Sequence, residues 1–476
     1  MRYIATALFL ALLAPPLAAA SSPPLNVVFF LVDDFGAHDV GYAGSRVYET
    51  PQIDRLAADA ARFTQAYAAF PRCVPSRFAL MTGVHPSRAE GQGEVLTEMS
   101  PARVTLAEAL RAHGYATFFA GKWHLGKDAT RFPEAQGFDV NVGGGSAGEP
   151  GTYFAPFTSP RGLSGLEPIK GEPGDYLTDR LTDEAIAFIR ARRDQPFFVY
   201  LSHYAVHTPL QAKAADKERL QRKIDGLAFD GPAYVTGPDG RARRHQNNAT
   251  YAAMVGSVDE SLGRVVATLR ELGLYDRTII EMTSDHRGLS NSGPHNQRIL
   301  ATSNLPLRAG KGHSYEGGIR VPALVRWPGV TKPGDTASFP ITGMDYFPSL
   351  LDMLGLPLRP DDHQDGVSFA PGLRDPAGFG AGRDFFWYSD RGRRDSTGDF
   401  NCATIRRGSL KLMEFFNESR VELYDLARDP GETRNLAEEL PTERDTLLAA
   451  LRAWKKQMNV KDRTQQKPRP GERYDF

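Results

Sequence analysis

The chain has 476 residues, with 57 Lys and Arg against 57 Asp and Glu, and 41% of its residues are hydrophobic. That composition suits a globular protein with one large domain or two unequal ones. Zero net charge gives no case for nucleic-acid binding or for adsorption to a charged membrane.

Met1-Arg2 is a short basic start, residues 4–17 are mostly apolar, and Ala18-Ala19-Ala20 fits a small-residue cleavage site. Residues 1–20 read as a secretory signal peptide, too short for a membrane span. No cysteine lies near the cleavage site, so a lipid anchor is not expected. The predicted location is secreted or periplasmic, without stable membrane insertion.

Residues 26–32 (NVVFFLV) form a continuous apolar run that ends in Asp33-Asp34. Both faces of such a run are buried, as in a central parallel strand. The pattern then predicts a helix over 105–113 and a strand over 115–120. An amphipathic helix follows at 177–193 and a strand at 196–201. A long helix at 248–272 leads to a strand at 278–283, another strand at 322–327 and a helix at 344–354. Strands alternating with helices imply an α/β sandwich around a mostly parallel sheet. Two Gly/Pro-rich stretches, 142–175 and 210–246, read as long loops, the second basic at Arg241, Arg243 and Arg244. Near 371–383 the composition turns to Gly, Pro and Arg. The predicted division is a catalytic domain over 21–375 and a smaller C-terminal α+β subdomain over 376–476. The latter holds a hairpin at 402–416 and a closing helix at 442–457.

The chemically loaded residues follow strands: Asp33-Asp34, Lys122 and His124, His203 and His207, and Asp285-His286. Ligands bind at the carboxyl ends of strands in open α/β sheets, so four polar clusters on that edge point to one site. Adjacent carboxylates repel unless a cation lies between them, and oxygen ligands suit a hard divalent ion. Lys122 and His124, two apart in extended backbone, face one way and can meet one anion. His207, in a His-Thr-Pro turn, is the favoured functional histidine, and His203 is expected to pack. Lys311 lies between glycines that let backbone approach a ligand. Cations for a tetrahedral oxyanion beside carboxylates for a metal suit phosphoryl or sulfuryl transfer, where catalysis is mostly positioning and charge stabilisation. Only Cys73 and Cys402 are present. They can pair in one disulfide, or Cys73 can be modified and Cys402 stay free.

Cys73-Val74-Pro75-Ser76-Arg77, followed by Leu80, Thr82 and Gly83, resembles the C-x-P-S-R signature of the type I sulfatases in the alkaline phosphatase superfamily. Val32-Asp33-Asp34, the GKWHLG run at 121–126, His207-x-Pro209, Ser284-Asp285-His286 and the segment 302–322 extend the resemblance in family order. Glu422-Leu423-Tyr424-Asp425-Leu426 is similar to the family's C-terminal subdomain. The resemblance implies that Cys73 is oxidised to formylglycine by a formylglycine-generating or maturating enzyme. It implies that Asp33, Asp34, Asp285 and His286 hold one divalent cation together with modified Cys73. Calcium is the expected ion, with manganese and magnesium as alternatives. Arg77 would steady the hydrated aldehyde, Lys122 and Lys311 would bind sulfate oxygens, and Asp285 would act as base. His207 would protonate the leaving alcohol, and His124 would help regenerate the aldehyde. His286 stands where many members have asparagine, and imidazole nitrogen suits manganese or zinc better than calcium.

The segment 302–322 looks most like bacterial exo-sulfatases acting on sulfated sugars, including galactose and N-acetylgalactosamine types. Arg287, His295, Asn304, Arg308 and His313 are therefore expected to line a sugar pocket. The expected partner is a sulfated carbohydrate, and oligomeric state is left open. The competing readings are a phosphodiester or phosphonate ester hydrolase of the same superfamily, a catalytically silent binder of sulfated glycans, and a cysteine hydrolase. The nearby carboxylates are expected to raise the Cys73 thiol pKa and so oppose the last.

Overall fold

The computed structural model describes residues 23–463, apart from 95, 159–165, 167, 168 and 238. The signal-peptide segment lies outside the described residues. The central sheet contains, in chain order, β1 (Asn26–Val32), β2 (Ala61–Phe63), β3 (Ala116–Gly121), β4 (Val140–Val142), β5 (Phe197–His203), β6 (Thr278–Ser284), β7 (Ala323–Arg326) and β8 (Thr336–Ala337). Their spatial order is β8-β2-β7-β6-β1-β5-β3-β4. Strands β6, β1, β5, β3 and β4 run parallel. β7 pairs antiparallel with both β6 and β2.

The apolar run of β1 explains its central place. Val28, Phe30 and Val32 enter one core, beneath the helices Leu177–Ala191 and Ala249–Glu271. Val27, Phe29 and Leu31 enter the other, with Leu80 of the helix Cys73–Thr82 and Phe347 and Leu350 of the helix Tyr346–Met353. A strand buried on both faces cannot alternate polar residues, because each would be stranded without water. The long helix starts where Asn248 accepts from the backbone N–H groups of Thr250 and Tyr251.

The strands also end together. Val32 lies opposite both His203 and Ser284, and Gly121 lies opposite Ser202. The next residues of four chain segments therefore emerge on one edge.

The stretch 210–246 differs from the expected loop. It contains a helix, Ala214–Asp225, and a hairpin, Tyr234–Gly237 with Gly240–Arg243. Only Leu220 and Ile224 of that helix are buried, too thin an apolar stripe to stand out in the sequence. The hairpin joins Asn291–Ser292 in a three-stranded sheet beside the active edge. Residues 142–175 carry one bridge among those described, Phe154 to Tyr176.

The C-terminal part is a four-stranded antiparallel sheet, Asp384–Ser389, Cys402–Arg407, Leu410–Phe415 and Arg420–Asp425. The helix Pro441–Gln457 covers it with Leu447, Leu451 and Trp454. An ionic knot joins this sheet to the larger unit. Lys411 Nζ lies 3.0 Å from Glu316 Oε1 and 2.9 Å from Glu432 Oε1, and all three side chains are fully buried. Glu432 Oε2 accepts from the Glu316 backbone N–H at 2.7 Å, and Tyr67 donates its hydroxyl to Glu316 Oε2 at 2.9 Å. The knot anchors the segment that begins with Lys311.

Candidate active site

Cys73 opens the helix Cys73–Thr82, with Arg72 in extended backbone as its N-cap. The side chain sits 9% exposed at the floor of the polar edge, its Sγ 3.1 Å from His286 Nε2. Cys73 and Cys402 are both buried free thiols, so the disulfide alternative is not formed.

Three carboxylates face three cations here. Lys122 Nζ reaches Asp33 Oδ2 at 2.6 Å, and Lys311 Nζ reaches both oxygens of Asp34 at 2.9 and 3.0 Å. Arg77 Nε donates to Asp285 Oδ2 at 2.9 Å, with Nη2 3.4 Å from Asp33 Oδ1. Arg77 Nη1 also donates to Lys122 O and to Ser202 Oγ, both at 2.8 Å. Asp285 Oδ1 accepts from the backbone N–H of His286 at 2.9 Å and of Asp34 at 3.3 Å.

These charges set the titration of the centre. Burial would raise the Cys73 thiol pKa, but Lys122, Lys311 and His286 hold it well below the ordinary thiol range. The expected upward shift does not occur, because each carboxylate already carries a cation and the net field at Sγ is positive. Burial opposes a charged His286, yet Asp285 and Cys73 overcome it and lift the imidazole to about 9. Asp285 is pushed up by burial and pulled below its usual value by His286 and Arg77.

The histidines divide into two groups. His124, in left-handed backbone at φ 58°, is half-buried beside Cys73, and burial lowers its pKa. Gly148 packs on its ring so closely that a Cβ would lie 2.6 Å from the imidazole, so this wall requires glycine. His207 Nδ1 lies 2.9 Å from Thr208 O, which turns Nε2 toward Asp34 at 3.7 Å. His203 points into the core instead. Its Nε2 meets Ser261 Oγ at 2.8 Å, its ring lies edge-on to Phe30, and burial lowers its pKa to about 3.

Ligand atoms of Asp33, Cys73, Asp285 and His286 all lie within 4.8 Å of one another, as do those of Asp34, Cys73 and His207. Asp33, Asp34 and Asp285 offer oxygen donors, and Asp33 Oδ1 is buried without a hydrogen-bond partner. The residues therefore fit a divalent cation, with His286 as the one nitrogen donor in the first set.

The residues expected at a sugar pocket have varied surroundings. His295 is exposed. Asn304 is buried, its amide nitrogen donating to Ser290 Oγ and Gly317 O, both at 2.8 Å. Arg308 donates to both oxygens of Asp239 and to Tyr424 Oη, and His313 Nε2 lies 3.0 Å from Thr397 O. Arg287 is fully buried behind His38, 3.5 Å away. Two neighbours carry no sequence motif. Ser202 fixes Arg77, and Arg72 grips Asp399 at 2.7 Å. The position of Arg72 directly before Cys73 is the one signal that pointed to it.

A carboxylate set suited to a hard cation, two lysines and two histidines around Cys73 suit a hydrolase of tetrahedral oxyanion esters. The Sulfatase family profile matches residues 25–356, and the profile for the N-sulphoglucosamine sulphohydrolase C-terminal region matches 310–460. Mouse (Mus musculus) steryl-sulfatase is 31% identical over 92% of this chain and 82% of its own. The N-acetylgalactosamine-6-O-sulfatase of Bacteroides thetaiotaomicron is 28% identical over 87% of this chain and 90% of its own. The crystal structure of Ps i-CgsB in complex with k-i-k-neocarrahexaose superposes with a TM-score of 0.74 at 28% identity, covering 91% of this chain and 93% of that one. The chain belongs to the formylglycine-dependent sulfatase family of the alkaline phosphatase superfamily, and it is a sulfuric ester hydrolase.

Proposed function

We propose that this enzyme is exported and removes sulfate from a sulfated sugar or polysaccharide of galactose or N-acetylgalactosamine type, using formylglycine at Cys73 and one divalent cation. The observation that carries the reading is the convergence of Lys122, Lys311, His124 and His207 on Cys73, whose thiol the same cations hold well below its ordinary range. The Bacteroides relative and the carrageenan-oligosaccharide complex support the sugar class, and the mouse relative makes steryl sulfate the comparison substrate.

Asp33, Asp34, Asp285 and His286 would hold the cation together with modified Cys73, with calcium expected and manganese or magnesium able to replace it. When bound, the cation and the hydrated aldehyde supply a charge opposite the transferred oxygens and a pair of hydroxyl groups. Lys122 and Lys311 hold two non-bridging sulfate oxygens, and Arg77 fixes the nucleophile position through its hold on Asp285. Asp285 takes the proton of the attacking hydroxyl as the sulfur–oxygen bond to the sugar breaks. His207 gives a proton to the leaving sugar oxygen at that moment. His124 takes the proton whose loss releases sulfate and restores the carbonyl.

His286 favours one second reading, side activity on phosphodiester or phosphonate esters, because an imidazole donor admits manganese or zinc. The deciding experiment combines mass spectrometry of the Cys73 peptide with sulfate release from 6-sulfated galactosides, steryl sulfate and a matched phosphodiester. Aldehyde at Cys73 with preferred release from the galactosides is expected. Exhaustive chelation should abolish activity and lower the melting temperature, since an ion bound only by the folded chain stabilises it. Unmodified Cys73 in the native host, with sulfated glycan bound and not cleaved, would favour the silent binder. N-terminal sequencing of exported protein should start near residue 21.

A further inference from the structure

Residues 293–300 link the three-stranded sheet to the segment that bears Lys311, and the Gly293 N–H donates to Ser396 O at 3.0 Å. Arg298 of this loop is fixed from three sides. Its backbone N–H donates to Asn296 Oδ1 at 2.9 Å, its carbonyl accepts from Arg241 Nη1 at 3.2 Å, and its own Nη1 donates to Ser396 Oγ at 3.3 Å. Ser396 adjoins Thr397, whose hydroxyl accepts from Arg72 Nη2 at 3.1 Å, and Arg72 is bonded to Cys73. The guanidinium is half-buried, and its pKa is lowered by burial, raised by Asp34 and lowered by Arg72, so it lies within the field of the catalytic centre.

Four of the other guanidinium groups near the centre are engaged, and Arg287 is fully buried. Arg72 holds Asp399, Arg77 holds Asp285 and Asp33, and Arg308 holds Asp239. Arg243 is tied to Leu300 O, His245 O and Asn247 Oδ1. Among the described residues, the Arg298 side chain hydrogen-bonds only to Ser396 Oγ. Guanidinium carries five N–H donors in a planar fork that matches an oxyanion bidentately, so most of its capacity faces outward unpaired. On the same loop, Ile299 is 72% exposed and gives the cation an apolar flank.

We propose that Arg298 forms a second anion subsite beside the scissile sulfate, which selects substrates carrying a further sulfate or carboxylate on the same or the adjoining sugar. The inference rests on the sulfatase reading and deepens it. Arg241 is then a positioning residue, because it stacks on the Tyr234 ring at 3.7 Å and holds the Arg298 carbonyl. Arg243 has a structural role in the same loop.

The test compares wild type, Arg298→Gln and Arg298→Lys on three matched disaccharides: one monosulfated, one disulfated, and one with a single sulfate and a uronate. A charge-assisted contact predicts that Arg298→Gln lowers kcat/KM on a dianionic substrate about ten- to a hundredfold more than on the monosulfated one. Arg298→Lys should recover part of that loss, and raising salt should narrow the gap. A selective loss on the disulfated sugar identifies sulfate as the second anion, and one on the uronate identifies carboxylate. Equal losses on all three substrates, or a wild type that does not prefer either dianion, would overturn the subsite while leaving the sulfatase reading intact. Wild-type protein with confirmed aldehyde that hydrolyses none of the three would overturn both.

Discussion

The Cys73 centre and the Glu316–Lys411–Glu432 knot are both buried and both ionic, yet they are built to different ends. In the knot, Lys411 pairs with both carboxylates, a backbone N–H and Tyr67 bond the oxygens it does not face, and Glu432 Oε1 has its ion pair alone. In the centre, each carboxylate has a cation, but Asp33 Oδ1 and Arg77 Nη2 lack hydrogen bonds, and Lys311 and His207 stay partly exposed while the knot is closed to solvent. A buried network closed to solvent locks one arrangement, whereas one that reaches the surface keeps bonding capacity for a substrate or an ion. The first holds the loop, and the second uses what the loop carries.

The contrast is broken most sharply at Cys73, the proposed nucleophile position. Cys73→Ala should remove all turnover above the uncatalysed background while shifting the melting temperature little, since only one small buried side chain is lost. Activity within tenfold of wild type would sink the assignment.

Paired lysine deletions sharpen the comparison itself. Lys411→Met leaves buried Glu432 without a cation and Glu316 with only Arg320 at 3.7 Å, and should cost about 3–5 kcal/mol of stability, read as a lower denaturation midpoint. Lys122→Met leaves Asp33 still facing Arg77 at 3.4 Å, so it should cost less stability and more activity. Equal stability losses in the two variants would erase the distinction between the clusters.

His207→Ala should lower kcat about a hundredfold on a sugar sulfate, with a smaller effect on KM. An activated aryl sulfate needs little protonation of its leaving group, so the loss there should shrink. The same loss on both substrates would assign His207 another role.

The smallest effect concerns pH. Burial raises Glu432 from the usual 4.5 to about 7, with Lys411 opposing and Glu316 adding to the shift. Between those values the folded chain holds a proton that the unfolded chain has released. The contribution is therefore complete below about pH 4.5 and lost as pH rises through 7. Denaturation midpoints between pH 5 and 8 should fall less in Glu432→Gln than in wild type. Identical slopes would show that Glu432 does not titrate in this window.

The sequence by itself determined the parallel strands and the edge on which chemistry gathers. The apolar run of residues 26–32, the polar pairs that follow strands and the C-x-P-S-R run are local signals, complete within a few residues. The helix Ala214–Asp225 escaped because its two buried residues make too weak a periodic pattern. Only the tertiary structure decided which charge meets which. Lys122 and Asp33 lie 89 residues apart in the chain, Lys311 and Asp34 lie 277 apart, and no local pattern pairs them. The same holds for Lys411 and for Arg298, which sit in unremarkable stretches and gain meaning only from their neighbours. Arg308 and His313 stand close to the Lys311 motif in sequence, but the fold directs them to Asp239 and Thr397. Periodicity encodes which elements form, because burial of a face is a local property of sequence. Electrostatic partners are set by how those elements are brought together, because Coulomb forces depend on distance in space.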